Sequence, residues 1–166
     1  VISGTTGWLE NYDKAVTLCK EKKGAFIYAS NYSLGVNIFF ELNKTLAKMM
    51  SNLKQYNVSI EEIHHTQKLD APSGTAISLA NGIISNHDGF DNWKLDKKGE
   101  TTIPITAKRI DDVPGTHTVT YESEVDTVTI EHVAHNRQGF ALGAVIAAEW
   151  LVEKTGVFTM NDVLGL

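Results

Sequence analysis

The chain has 166 residues, 42% of them hydrophobic and only 3 of them proline, which suits one domain or a core plus a small appendage and is long enough to bury a real core. Its 15 Lys and Arg stand against 20 Asp and Glu, a net charge of −5. With no basic run or aromatic–basic stripe to track a phosphate backbone, no nucleic-acid partner is expected. The single cysteine, Cys19, excludes a disulfide framework and a cysteine metal site; it reads as a buried thiol in a reducing, cytoplasmic protein. Apolar runs such as residues 141–148 fall far short of the roughly 20 residues of a membrane span. No charged-then-apolar leader stands at Val1, so neither secretion nor a membrane partner is expected.

In chain order, Val1-Ile2-Ser3 reads as the end of a strand running into the turn Gly4-Thr5-Thr6-Gly7. With no initiator Met, a piece of a longer protein is expected. Residues 10–23 place Ala15, Val16, Leu18 and Cys19 on one face, and Gly24 then breaks the pattern, which predicts a short surface helix with a glycine C-cap. Ala25-Phe26-Ile27-Tyr28-Ala29 predicts a buried strand. Strand, turn, helix, strand is one βαβ step of a doubly wound sheet. From Leu34, the residues Val36, Ile38, Phe39, Leu42, Leu46, Met49, Met50 and Leu53 recur at helical spacing and predict a helix of about five turns, with the methionine pair filling core.

Val58, Ile60 and Ile63 predict a strand ending near His64. A polar loop to Pro72 follows, then a helix over 73–85 that begins at or just after the proline. Residues 87–102 are charged and read as an excursion held down by one Phe and one Trp. Strands are predicted over 103–110, 116–122 and 127–132, the last two alternating with period 2 and pairing antiparallel. Phe140, Leu142, Ala144, Val145, Ala148 and Leu151 predict a last helix to about Lys154, and 156–166 reads as a tail.

Chemically useful residues are densest in His64-His65-Thr66-Gln67-Lys68-Leu69-Asp70-Ala71-Pro72-Ser73-Gly74-Thr75-Ala76, between a strand end and a helix start, where α/β folds place their sites. Unpaired N–H groups at Ser73, Gly74 and Thr75, two hydroxyls and the charge of Lys68 describe a site for a carboxylate or phosphate. His64 and His65 point to opposite sides if the strand persists, so one can face a ligand as an acid or base while the other packs. Bland readings exist for each: Ser-Gly-Thr is an ordinary N-cap, paired histidines are often structural, and a loop lysine is usually solvated. Their joint occurrence favours a site. The Gly-x-Ser-x-Gly elbow of a hydrolase is absent, and a Schiff-base role for Lys68 would call for a drier loop.

His132 and His135 are spaced wrongly for a zinc pair, and no metal is expected. His117 reads as a satisfied, half-buried histidine and His87 as surface. Gly4-Thr5-Thr6-Gly7 and Ser30-Asn31-Tyr32-Ser33 both follow strands at the equivalent end and could line one nucleotide crevice. No Gly-x-Gly-x-x-Gly occurs in the sequence, so the phosphate loop for any dinucleotide is expected upstream of Val1.

The stretch HHTQKLDAPSGTA at 64–76 resembles the signature of the bacterial dihydrodipicolinate (4-hydroxy-tetrahydrodipicolinate) reductases of diaminopimelate and lysine biosynthesis. The resemblance runs on through Gly4-Thr5-Thr6-Gly7, residues 29–33, Gly35-Val36-Asn37, Gly115-x-His117, Arg137-x-x-Phe140-Ala141-x-Gly143-Ala144 and Gly156-x-Phe158-x-Met160-x-Asp162-Val163-Leu164. It departs from the family at Ile63, at Arg109-Ile110-Asp111, which lacks a glycine, and at Tyr32, where phenylalanine is common.

The resemblance implies an α/β fold with an α+β substrate domain. Residues 1–30 would end a Rossmann-type nucleotide-binding domain, 31–138 would form a mixed-sheet substrate and tetramerisation domain, and 139–166 would return to the nucleotide-binding part. It implies that His64 is the general acid and that Lys68 serves proton transfer and charge stabilisation. His65, Ser73, Gly74 and Thr75 would hold the substrate. Gly4, Thr5, Thr6, Ala29, Ser30, Asn31, Tyr32, Arg137 and Phe140 would hold NADH or NADPH. The implied reaction carries a hydride to a cyclic unsaturated dicarboxylic imine in a homotetramer, with this chain inactive by itself. The competing expectation is a non-catalytic oligomeric binding domain for a small dicarboxylate.

Overall fold

The computed structural model describes residues 1–5 and 7–166, and these form two compact units, Val1–Asn37 with Arg137–Leu166, and Ile38–Asn136. In the first unit the apolar run after Gly24 becomes β2 (Ala25–Tyr28), flanked in parallel by β1 (Ile2–Ser3) and β8 (Gly156–Phe158) in the order β1-β2-β8. Around them lie a single 3-10 turn (Leu9–Asn11), α1 (Tyr12–Glu21), α4 (Gln138–Trp150) and α5 (Met160–Leu164). Ile27, Tyr32, Ala147, Leu151 and Met160 form the core.

Several local expectations change here. α1 turns Tyr12, Ala15, Val16 and Cys19 inward, an i, i+3, i+4, i+7 stripe, so Leu18 falls off the face and is 55% exposed. Cys19 is half-buried rather than buried, its thiol 3.6 Å from the Gly156 carbonyl. The left-handed residue that ends α1 is Lys23, not Gly24: Lys23 N–H reaches Lys20 O and Gly24 N–H reaches Cys19 O at 2.8 Å, a Schellman closure one residue early. α4 stops at Trp150 and packs through its small residues, with Gly143 and Ala147 buried while Leu142 and Val145 stay exposed. The reason is contact distance, since a Cβ at Gly143 would lie 1.8 Å from the Tyr32 carbonyl oxygen. The tail holds order of its own in β8 and α5, the latter started by a Thr159–Asp162 capping box.

The second unit is a five-stranded mixed sheet, β4 (Asn92–Leu95), β5 (Thr102–Arg109), β3 (Asn57–His64), β6 (Gly115–Glu122) and β7 (Thr127–Ala134) in that spatial order. β4, β5 and β3 run parallel; β6 and β7 are antiparallel to their neighbours. The apolar residues of α2 (Leu34–Met50) and α3 (Gly74–Ile84) form one core with the sheet through Phe39, Met50, Leu79, Ile83, Ile60, Ile105 and Val119. Period-2 alternation on β3 sends Val58, Ile60, Glu62 and His64 to the buried face.

The excursion over 87–102 contains the edge strand β4, too short and too charged to announce itself. α2 carries more apolar residues than one face can hold, so Met49 is 69% exposed and Ile38 and Leu42 also meet solvent, while Met50 is buried and Leu53 lies beyond the helix end. Inside α2 sits Asn43, whose amide donates to Leu79 O at 2.9 Å. His87 is buried rather than on the surface, its Nδ1 accepting from Gly89 N–H at 3.1 Å and its ring 4.7 Å from that of Phe90. His117 is buried, not half-buried.

Candidate active site

Because Glu62 and His64 are two apart on β3, both side chains enter the same face, and α3 begins beside them. Ser73 caps that helix, its hydroxyl accepting from Ala76 N–H at 3.2 Å. The Ser73 amide donates to both oxygens of Glu62, at 3.0 and 3.1 Å. This corrects the sequence expectation, since one of the three helix-start donors is already spent on an internal carboxylate. Parallel pairing sets Arg109 of β5 opposite His64. Its guanidinium donates to Glu62 Oε1 at 3.2 Å and to the carbonyls of Asp70 at 2.7 Å and Lys68 at 3.3 Å, pinning the loop.

His64 Nδ1 lies 3.3 Å from Glu62 Oε2. It is buried without a well-aligned hydrogen-bond partner among the described residues. His117, from β6, meets Ser73 Oγ at 3.1 Å, lies 3.7 Å from Glu62 Oε2 and packs edge-on against His64 with ring centroids 5.0 Å apart. Burial opposes the charge of Glu62, but its interactions with His64 and the bonds from Ser73 win and hold the carboxyl down at about 2. Burial first, then the charge of His64, pushes His117 down to about 3, so it is neutral near pH 7. Glu62, His64 and His117 present ligand atoms within 4.8 Å of one another. The oxygen that faces both histidines, Oε2, already accepts the Ser73 amide.

Beyond this buried cluster lies a wetter rim. The Lys68 ammonium is gripped by both oxygens of Asp70, at 2.8 and 2.9 Å, and this bond, against a smaller desolvation cost, lowers the Asp70 carboxyl. His65 is half-buried on the opposite parity, and its carbonyl accepts Lys68 N–H at 3.1 Å to close the turn. Gly74 and Thr75 are the first two residues of α3, so their N–H groups have no intrahelical acceptor. A Cβ built on Gly74 meets nothing within 4 Å. A Cβ on Gly115 would lie 3.2 Å from His64 Nε2, so a side chain there would crowd that nitrogen.

The structure therefore brings His64, Lys68, Ser73, Gly74 and Thr75 into one region of the second unit. It adds Glu62, Arg109 and His117, which sequence reasoning missed as site residues. Glu62 carried a signal, a charged residue at the buried parity two before His64; Arg109 entered only within a segment set against the family pattern, with no role attached.

The turn residues singled out for a cofactor lie in the first unit, apart from Thr6, which falls outside the described residues. Gly4, Thr5 and Ser30 are exposed, and Gly4 sits where a Cβ would touch the Tyr32 ring at 3.4 Å and approach Ala29 O at 3.9 Å. Asn31 accepts Ser33 N–H at 2.8 Å, and Asn37 donates to the carbonyls of Asn31 and Ser33 at 2.9 and 2.8 Å, fixing the second turn. Tyr32 is buried, which pushes its hydroxyl up, and that hydroxyl reaches the carbonyls of Ser3 at 3.0 Å and Ile27 at 3.1 Å. It braces the ends of two strands. Arg137 is exposed at the start of α4 and Phe140 is half-buried.

The family model described as dihydrodipicolinate reductase, C-terminus, matches residues 35–164. The 4-hydroxy-tetrahydrodipicolinate reductase of Christiangramia forsetii is 63% identical over 99% of this chain and 69% of its own length. That of Methanosarcina acetivorans is 42% identical over 100% of this chain and 64% of its own. A solved structure, the dipicolinate-bound dihydrodipicolinate reductase from Paenisporosarcina sp. TG-14, superposes with a TM-score of 0.69 at 26% identity, over 95% of this chain and 62% of that one. The chain thus spans about two thirds of the length of the proteins it matches. It belongs to the dihydrodipicolinate reductase family.

Proposed function

We propose that this chain carries the substrate-holding, proton-donating part of a 4-hydroxy-tetrahydrodipicolinate reductase, acting on a cyclic unsaturated dicarboxylic imine with NADH or NADPH. The observation that carries the reading is the pairing, within one strand-to-helix junction, of an imidazole whose Nε2 faces the side-chain-free Gly115 and a rim of Lys68 with the Gly74 and Thr75 amides. A dicarboxylate needs anion donors placed about a shared acid. Lys68 exchanges its exposed partner Asp70 for a substrate carboxylate, the amides and the Thr75 hydroxyl take the same or the second carboxylate, and His65 borders them. His64 delivers a proton from Nε2 to the ring carbon beside the one reduced.

In the same reading the exposed turns around Gly4, Thr5 and Ala29–Asn31, with Arg137 and Phe140, hold the nicotinamide end of the cofactor. The bare α-carbon of Gly4 against the Tyr32 ring suits a flat ring laid on the turn. When bound, the cofactor supplies the hydride. Its phosphates need a Gly-rich loop that these 166 residues do not contain, so the chain alone is expected to bind cofactor weakly and turn over little. Association as a homotetramer through the second unit's sheet and a cytoplasmic setting belong to the same proposal; the free thiol of Cys19 supports the latter.

The test is oxidation of NADH and NADPH with enzymatically generated 4-hydroxy-tetrahydrodipicolinate, measured for this chain and for the chain fused behind the remaining part of the C. forsetii relative. Turnover by the fusion that drops about 100-fold or more in His64→Gln is expected for a lost general acid. A folded fusion with no turnover would instead favour a dicarboxylate-binding module.

A further inference from the structure

On β3 the buried parity runs Val58, Ile60, Glu62, His64, so a carboxylate stands where the alternation calls for an apolar side chain. Glu62 is 0% exposed. Burying an ionised carboxylate costs several kcal/mol unless its oxygens are satisfied, and the surrounding elements supply partners. α3 contributes the Ser73 amide to both oxygens, and β5 contributes Arg109 to Oε1. Oε2 then faces the two imidazoles, His64 Nδ1 at 3.3 Å and His117 Nε2 at 3.7 Å. His117 is turned to Ser73 Oγ, which leaves His64 as the group that Oε2 addresses.

His64 offers the complementary half of the argument. Its Nδ1 has no solvent contact and no other acceptor among the described residues, and a small ring rotation completes the N–H···Oε2 bond. Its Nε2 looks across the bare Gly115. We propose that Glu62 is the positioning residue of His64, holding the proton of Nδ1 and so leaving Nε2 as the atom that gives and regains the catalytic proton. This rests on the reading of His64 as general acid. In the step, the Nε2–H bond breaks and its electron pair stays on nitrogen, the C=C π pair of the substrate ring takes the proton to form the C–H bond, and the neutral Nδ1–H imidazole takes its next proton from water.

Arg109 sets the geometry of the pairing. Its guanidinium holds Oε1, which fixes the carboxylate with Oε2 turned to the imidazoles. The other charges near the pair are Lys68 and Asp70, which neutralise each other on the rim. A Glu62 carboxylate that served only to anchor Arg109 and α3 would have no bearing on the proton of His64, and this separates the two roles.

The deciding experiment is nitrogen NMR of the ¹⁵N-histidine-labelled chain. The wild type should show His64 with the proton on Nδ1 when neutral. In Glu62→Gln the amide reverses this to Nε2–H, because an amide N–H facing Nδ1 makes that nitrogen the acceptor. If Glu62→Gln does not fold, Arg109→Gln serves instead: it keeps Glu62 and with it the proton on Nδ1. A wild-type His64 carrying its proton on Nε2, a folded Glu62→Gln with the tautomer unchanged, or a folded Arg109→Gln that loses Nδ1–H overturns the proposal. These shifts are read without substrate or cofactor, so the result is independent of turnover, which tests the acid role itself.

Discussion

The two units of this chain solve the same packing problem with opposite materials. The first is tied by neutral groups: the Tyr32 hydroxyl reaches two strand-end carbonyls, and Gly143 lets α4 touch the backbone of the Tyr32 turn. The second buries a charged knot of Glu62 and Arg109 against His64 and His117 in the middle of an otherwise apolar sheet face. A well-packed apolar set in place of the whole knot would cost less, whereas an apolar residue at 62 alone would leave the Ser73 amide and the Arg109 guanidinium without their acceptor. The difference teaches where the molecule accepts instability: in the unit that holds the candidate acid, and not in the one whose turns need only be shaped.

The sharpest way to break the comparison is Gly143→Ala. The new Cβ would fall 1.8 Å from a backbone oxygen, which no rotamer change relieves, and a loss of about 4 kcal/mol is expected in the first unit. Trp8 and Trp150 report on that unit and Trp93 on the other, so fluorescence-detected urea unfolding of single-tryptophan versions should shift only the first pair. Acid tests the converse. His117 is depressed from 6.5 to about 3, so its neutral form contributes stability in full above pH 6.5, and this is lost as pH falls toward 3. Glu62 is depressed from 4.5 to about 2, so its contribution is present above pH 4.5 and fades toward 2. Both act in the second unit, where a loss on the order of 3 kcal/mol is expected between pH 7 and 3. Amide exchange should show β3 and β6 opening before β2.

Smaller effects sharpen the picture within the second unit. Lys68→Ala should weaken a dicarboxylate ligand about tenfold, the loss of one charge-assisted bond, and leave stability within about 0.5 kcal/mol because its partner Asp70 is on the surface. Gly74→Ala should raise stability by up to about 1 kcal/mol, since the helix gains alanine in open space, while calorimetry shows the ligand weakened. Tyr121→Phe removes a buried hydroxyl with no partner among the described residues and should raise stability by up to about 1 kcal/mol by thermal unfolding.

Much of the fold was legible because period carries it. The alternation of β3 and β6 and the stripes of α2 and α3 each predict an element that the structure contains. β4 and β8 escaped because Asn92–Leu95 and Gly156–Phe158 are too short for alternation to stand out. Met49 and Leu142 were misplaced because a helix rich in apolar residues does not say which of two faces is covered. The loop from His64 to Thr75 declared itself by density of function. What it could not declare was the support behind it, since Arg109 reaches Glu62 through a parallel strand register that only the folded sheet sets.

The central claim is that the second unit holds a dicarboxylate around the His64–Thr75 junction. The most direct measurement is a two-dimensional amide NMR titration of this chain with pyridine-2,6-dicarboxylate, the ligand of the solved Paenisporosarcina relative. The account predicts saturable shifts centred on His65, Lys68, Gly74 and Thr75, lost in Lys68→Ala with Gly74→Ala. Shifts centred elsewhere, or unchanged in that double variant, would contradict it.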